Sequence, residues 1–317
     1  MLRWGILGTG FVASRAVAPA FRTCGHDLAV VGSRSLARAR TFAAAQGVRR
    51  ARGSYGEVVT ASDVDAVYVA LPNDLHERWT LAALDAGKHV LCEKPLSLNA
   101  ESGARMAIAA ARNGRLLMEA VMTRFHPRTS ALLELVRGGG VGAVRLIHTA
   151  FTFPMRMADS YRARPEHGGG ALLDVGSYSA ACIRWLAGEE PDVVRAEQRR
   201  WATGVDGTVA ALLGFSSGLL ATLHASFDGA ERQHLEIIGT EATLHVPRPF
   251  TVWRDEPAMI LRGNETLGEW RADPYERMVR AFADAVTDGT PVALPVTDSV
   301  KTAHLLDWIR AAAEGYQ

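Results

Sequence analysis

Five short clusters hold the residues best able to do chemistry. Gly8-Thr9-Gly10-Phe11-Val12-Ala13 has G-x-G-x-x-A spacing at a strand-to-helix turn. Gly8 permits the turn, Gly10 lets a pyrophosphate approach the bare backbone, and Ala13 allows close helix packing, so phosphates can rest on the helix N-terminus. In that context the motif predicts a dinucleotide site that includes Thr9, Phe11 and Val12. At the end of the second strand, an NAD-preferring site places an Asp or Glu on the ribose 2'-hydroxyl. Here the chain reads Gly32-Ser33-Arg34, with Arg38 one helical turn on. A serine hydroxyl and a guanidinium suit a 2'-phosphate, so NADP(H) is favoured. If Arg34 instead stacks on adenine or stays solvated, either NADP(H) or NAD(H) binds.

The third cluster is Leu71-Pro72-Asn73-Asp74-Leu75-His76, beyond the fourth strand, where ligands of open α/β sheets lie. Asn73 suits the ribose or nicotinamide side. His76 either lines the same cleft or is a satisfied histidine at a helix start. Glu93-Lys94-Pro95 follows the fifth strand, and Gly168-Gly169-Gly170 opens a segment carrying Asp174 and Tyr178. Four residues apart on a helix, Asp174 and Tyr178 share a face. Carbonyl reduction needs a hydride and a proton for the developing alkoxide, and a phenol whose pKa a nearby ammonium lowers can deliver that proton.

Two kinds of element must position these residues. From Leu2 to about Met122, β-rich runs (LRWGIL, DLAVVG, VDAVYVAL, KHVLC, RLLME) alternate with amphipathic helical stretches, predicting βαβ units on a parallel sheet, a Rossmann domain over 1–122. After about Phe125, strand-like runs follow one another (VRLIHTAFTF, VVRAEQRRWA, GTVAALLGF, GLLATLHASF, HLEIIGT, ATLHVP, TVWRD) between Gly and Asp-Gly turn signals. With one long helix over 172–186, they predict an α+β domain over 123–317 on a large, mostly antiparallel sheet. Helices over 275–287 and 299–313 close the chain, the last one expected to pack back on the first domain.

The opening glycine motif, the PNDLH segment, Glu93-Lys94-Pro95, the MEAVMTRFHP segment at 118–127 and GGGALLDVGSY at 168–178 resemble, in order and spacing, the glucose-fructose oxidoreductase / inositol dehydrogenase (Gfo/Idh/MocA) family. The resemblance covers nearly the whole chain. Tyr178 points to the branch with dimeric dihydrodiol dehydrogenases and deoxysugar 3-ketoreductases, which carry tyrosine where inositol dehydrogenases carry histidine. It implies that Lys94 and Tyr178 meet at the carbon facing the nicotinamide, with the division of labour between them open. Asp174 then orients substrate hydroxyls or ties down Lys94. It also implies a Pro95 peptide bond that tends to be cis, with Glu93 holding the turn or approaching the nicotinamide. Arg124, Arg162 and Trp201 have residue types that suit a sugar pocket, although surface charge or core packing explains them equally. The resemblance implies homodimers or homotetramers formed through the open sheet face.

Composition narrows the partners. Thirty-five Lys and Arg against 34 Asp and Glu leave little net field to attract nucleic acid or an anionic membrane, so a small-molecule substrate is expected. Three scattered cysteines and histidines without ligand spacing predict no metal, and a reducing cytoplasm is expected. No stretch has the pattern of a signal peptide or of a membrane span. The reading is an NADP(H)-dependent oxidoreductase acting on the carbonyl or alcohol of a sugar, nucleotide-linked deoxysugar or polyol. Trans-dihydrodiol or pentose dehydrogenase activity, NAD-assisted glycoside cleavage, and a nucleotide sensor without catalysis are the alternatives.

Overall fold

The structure is a computed structural model that describes residues 1–156, 160–254 and 256–315. It divides into two compact units, Met1–Met122 with Tyr275–Val300, and Thr123–Pro274 with Lys301–Gln317.

The first unit carries six strands, β1 (Arg3–Leu7), β2 (Asp27–Gly32), β3 (Arg50–Arg52), β4 (Ala66–Val69), β5 (His89–Glu93) and β6 (Leu117–Ala120). They form one parallel sheet in the order β3-β2-β1-β4-β5-β6, the doubly wound Rossmann arrangement. Helices α1 (Ala18–Thr23), α2 (Leu36–Gln46), α3 (Gly56–Val59), α4 (His76–Asp85) and α5 (Ala100–Arg112) connect them. A π-helical turn, Ala13–Val17, precedes α1. The central strands read as near-continuous apolar runs because they are buried on both faces; β4 (AVYV) is fully buried.

The second unit opens with α6 (Pro127–Arg137), which the run of strand-like segments does not announce. Its start is capped by an imidazole: Nδ1 of His126 accepts the Arg128 N–H at 3.1 Å, and Pro127 needs no donor partner at the first helical position. Eight strands follow, β7 (Val144–Thr152), β8 (Val193–Arg200), β9 (Asp206–Gly214), β10 (Leu220–Ser226), β11 (Arg232–Gly239), β12 (Thr243–His245), β13 (Ala258–Arg262) and β14 (Glu265–Trp270). Their order is β14-β13-β12-β11-β7-β10-β9-β8, antiparallel throughout except for the β7–β10 pair. A π-helical turn over Leu172–Gly176 leads into α7 (Ser177–Ala187), which packs on β7 and β10.

The strand expected over TVWRD is not formed across 251–254; Asp255 lies outside the described residues. The amide groups that a strand would pair are taken by a side chain, since Oε1 of Gln233 accepts from both Phe250 and Thr251. At the C-terminus, α8 (Pro274–Asp288) falls almost wholly in the first unit, where Phe282 lies against Trp4 with ring centroids 5.0 Å apart. The final helix, α9 (Val296–Ala313), begins in the first unit, where Val296 and Val300 pack against its core, and continues in the second.

Candidate active site

The nucleotide half lies in the first unit. Gly8 adopts φ +99°, and a Cβ there would sit 2.2 Å from the Ala70 carbonyl oxygen, so only glycine fits. A Cβ at Gly10 would meet nothing within 4 Å. The backbone is therefore open where the motif needs a phosphate to approach, at the start of a helix whose first N–H groups have no intrahelical partner. Ala13 is fully buried beneath the turn, Thr9 is half-buried, and Phe11 stands 70% exposed beside it.

At the end of β2 the chain is crowded at Gly32: a Cβ there would lie 2.7 Å from Val58 and 3.0 Å from the Ser54 carbonyl, so no larger side chain fits at that position. Ser33 is buried, and its hydroxyl accepts the Ser35 N–H at 3.3 Å, so it shapes the turn. Arg34 and Arg38 are exposed, and neither has an ion-pair partner among the described residues. Two uncommitted guanidiniums beyond β2 and an open glycine loop fit a dinucleotide with an extra phosphate.

The other predicted residues of this half are arranged differently from a simple lining. Leu71 and Asn73 are buried and Pro72 is half-buried. His76 is fully buried, with Nε2 2.9 Å from the Leu71 carbonyl and Nδ1 2.8 Å from the Pro95 carbonyl. It joins the two loops instead of facing a cleft. Glu93 receives the Tyr68 hydroxyl at 2.6 Å and the Lys94 N–H at 3.3 Å, which fixes the start of the loop bearing Lys94. The Lys94–Pro95 peptide is cis. Leu96 N–H donates to Oε1 of Glu119 at 2.8 Å, and burial pushes the Glu119 carboxyl up to about 7.

The candidate substrate residues Asp174, Tyr178 and Arg162 lie in the second unit. Asp174 and Tyr178 do not stand on an ordinary α-helix, because the turn over 172–176 is π-helical. The extra residue in such a turn changes which side chains stack, and π turns concentrate at functional sites. Tyr178, 9% exposed, packs against the stacked pair Phe151 and Phe250 with centroid separations of 5.8 and 6.0 Å. Nε of Arg162 donates to the buried Asp174 carboxylate at 2.7 Å. The carboxylate raises the Arg162 pKa despite the opposing effect of burial, and a charge on Tyr178 adds to the rise, so the guanidinium's field reaches the phenol. Arg162 thus serves Asp174 and Tyr178 first, whatever else it touches.

The remaining two candidates stand in other settings. The Arg124 guanidinium lies 5.6 Å over the Trp185 ring. Trp201 packs on Phe227, donates from Nε1 to Asp228 at 2.7 Å, and covers Gly207, where a Cβ would lie 2.2 Å from that nitrogen. Among the described residues, no group of three or more His, Cys, Asp or Glu is arranged to hold a metal ion, and no helix is long and apolar enough to cross a membrane.

Two acids of these sites went unread in the sequence. Asp206 accepts the Leu172 N–H at 2.6 Å and so caps the π turn; burial pushes its carboxyl up to about 6. Its Oδ1 fills the space beside Gly170, where a Cβ would lie 2.0 Å away. The Asp206-Gly207 dipeptide reads as a hairpin turn, which hides a capping acid. Glu119 had a signal that could have found it: a lone acid inside the apolar strand LMEA.

Comparison with known proteins agrees along the chain. Residues 2–121 match the NAD-binding Rossmann-fold domain of the GFO/IDH/MocA oxidoreductase family, and residues 129–245 match the GFO/IDH/MocA C-terminal domain. The chain is 35% identical to D-xylose 1-dehydrogenase (NADP(+)) 2 of Haloferax volcanii, covering 99% of this chain and 98% of that protein. It is 36% identical to dTDP-3,4-didehydro-2,6-dideoxy-alpha-D-glucose 3-reductase of Streptomyces antibioticus, over 98% and 97% of the two chains. A 3-ketoreductase from Actinomadura kijaniata, solved with NADP and TDP-benzene, superposes with a TM-score of 0.92 at 31% identity, over 98% and 97% of the chains. Both halves of the sequence and both of its sheets thus place the chain in the Gfo/Idh/MocA family of oxidoreductases.

Proposed function

We propose that the protein is an NADP(H)-dependent reductase or dehydrogenase of a sugar, a nucleotide-linked deoxysugar or a related polyol. One observation carries the choice of nucleotide: beyond β2 the chain reads Gly32-Ser33-Arg34 with no acid, and the exposed Arg34 and Arg38 can meet a 2'-phosphate. A relative that uses NADP(+) on D-xylose and a neighbour solved with NADP support the same reading.

NADPH, when bound, supplies the hydride that the carbonyl carbon accepts. Tyr178 gives its phenolic proton to the carbonyl oxygen, the Lys94 ammonium stabilises the developing alkoxide, and solvent reprotonates the phenol. Arg162, paired with Asp174, lends a positive field that favours the phenolate left after the transfer. In the reverse direction the same groups take the proton from an alcohol. Asp174, held in place by Arg162, orients a substrate hydroxyl.

Fluorescence titration tests the nucleotide first. NADPH is expected to bind more tightly than NADH, and Arg34→Ala to remove about tenfold of that preference while leaving NADH unchanged. Equal binding of both nucleotides by the unaltered protein would overturn the assignment. A carbonyl and polyol panel that includes D-xylose and 1,5-anhydro-D-fructose then reads turnover. Lys94→Met and Tyr178→Phe are each expected to lose at least a hundredfold in kcat. Val193, Leu212 and Leu220, exposed on the outer face of β8–β10 beside Trp308, further suggest a homodimer through that face, which light scattering measures.

A further inference from the structure

Both polar groups of one peptide unit, that joining Pro95 to Leu96, are held by buried ionisable side chains. Nδ1 of His76 lies 2.8 Å from the Pro95 carbonyl, and the Leu96 N–H donates to Oε1 of Glu119 at 2.8 Å. His76 opens α4 and Glu119 sits in β6, so two elements grip the loop between β5 and α5 from separate directions. Neither side chain is exposed enough to meet a ligand, at 0% and 5% of its surface. Holding a loop requires no titratable residue, and burying two of them carries a desolvation cost. Their place immediately after Lys94 gives that cost a purpose.

Of the two side chains, Glu119 is the one held near neutrality. Burial pushes Glu119 up to about 7, with Asp298 adding to the rise and the Ser299 hydroxyl, the Leu96 N–H and Lys94 opposing it. Burial pushes His76 down, helped by Lys94 and opposed by the Pro95 and Leu71 carbonyls and by Asp74. A neutral imidazole has one N–H for these two carbonyls, whereas an imidazolium satisfies both. Ionised Glu119 accepts the Leu96 N–H more strongly than its protonated form does. Cys92, fully buried and close enough to sense Glu119 and Glu93, keeps its proton and adds no charge.

We propose that His76 and Glu119 are positioning residues, a two-sided clamp on the Pro95–Leu96 peptide that fixes how Lys94 is presented, with the Glu119 side gripping more strongly once its carboxyl is ionised. The inference rests on the catalytic role of Lys94 proposed above.

Selective 15N-leucine labelling of the full chain reads the clamp without any substrate. The Leu96 amide is expected to titrate with a midpoint near 7 in the unaltered protein and to stay flat in Glu119→Gln, which keeps an acceptor oxygen and the side-chain shape. An amide that does not titrate, or that titrates equally in Glu119→Gln, overturns the proposal. In turnover of D-xylose with NADP+ or 1,5-anhydro-D-fructose with NADPH, Glu119→Gln is expected to lose the kcat limb near pH 7 and about fivefold in kcat. KM and the NADPH Kd should stay within about twofold. Unchanged pH profiles in both Glu119→Gln and His76→Gln also overturn it. Turnover that survives Lys94→Met while Leu96 still titrates breaks the assignment of Lys94 instead, so the two failures are told apart.

Discussion

The two helices that open onto the candidate sites begin in the same way and end up with opposite surroundings. Each follows a glycine-rich turn and each has a π-helical turn at its start, over 13–17 in one unit and 172–176 in the other. At Gly10 the space around the missing side chain is empty, while at Gly170 it is filled by the Asp206 carboxylate, which also takes the Leu172 N–H. A bare helix N-terminus is a receptor for an outside anion, whereas a capped one is already satisfied and serves to hold its own residues in place. The first helix start is therefore open to an outside group, while the second is closed by its own chain and holds the turn that carries Asp174.

Substitutions that fill or empty these two places sharpen the contrast. Gly8→Ala should have the largest effect, since the new Cβ would meet the Ala70 oxygen at 2.2 Å in a backbone with φ +99°. A loss of about 3 kcal/mol or more in unfolding free energy is expected by denaturant titration. Next comes the pH dependence of the capped helix. The Asp206 carboxyl titrates at about 6 in the folded chain against an ordinary value of 3.8. Its contribution is therefore full in acid and is lost as pH rises from about 4 to 6, a slope on the order of 2–3 kcal/mol in all. Asp206→Asn, which can still accept the Leu172 N–H, should flatten that part of the stability profile. An unchanged slope in this variant would show that the carboxylate is not desolvated as its burial requires.

Gly10→Ala provides the complementary case. With open space around it, the substitution should leave unfolding within about 0.5 kcal/mol of the unaltered protein, yet weaken NADPH about tenfold by blocking the approach of the pyrophosphate. If it destabilises the fold and spares binding, the empty space is not a phosphate site. Arg162→Lys keeps a positive charge beside the buried Asp174 carboxylate, so its effect is expected chiefly on turnover. It is expected to lower kcat a few-fold and shift the basic limb of the pH profile upward, since a lysine holds the carboxylate less rigidly and its field acts less directly on Tyr178.

The parallel sheet and the nucleotide turn were legible in the sequence because their signals are local. A glycine at a required φ and fully apolar strand runs carry their own reasons along the chain. Lys94 and Tyr178 could be singled out for a similar reason, since each stands beside a short motif of fixed spacing. The helix over 127–137 was not legible: its cap is a histidine, outside the usual set of capping residues, and its apolar positions lie within a run of strand-like segments. The TVWRD segment failed in the other direction, because Gln233, distant in sequence, takes the amides that would have joined a ladder.

Site details divide along the same line. Residue types alone argue for a nucleotide, for a phosphate-binding arginine and for a phenol able to pass a proton. Tertiary structure alone decides what each group is paired with: Arg162 with Asp174, His76 with the carbonyls of two loops, Glu119 with the Leu96 amide and Asp206 with the start of the substrate-side helix. Local sequence fixes backbone conformation and chemical identity, since both depend on neighbours within a few residues. Burial and hydrogen-bond partners, which set charge state and orientation, come from residues far apart in the chain, and only folding brings them together.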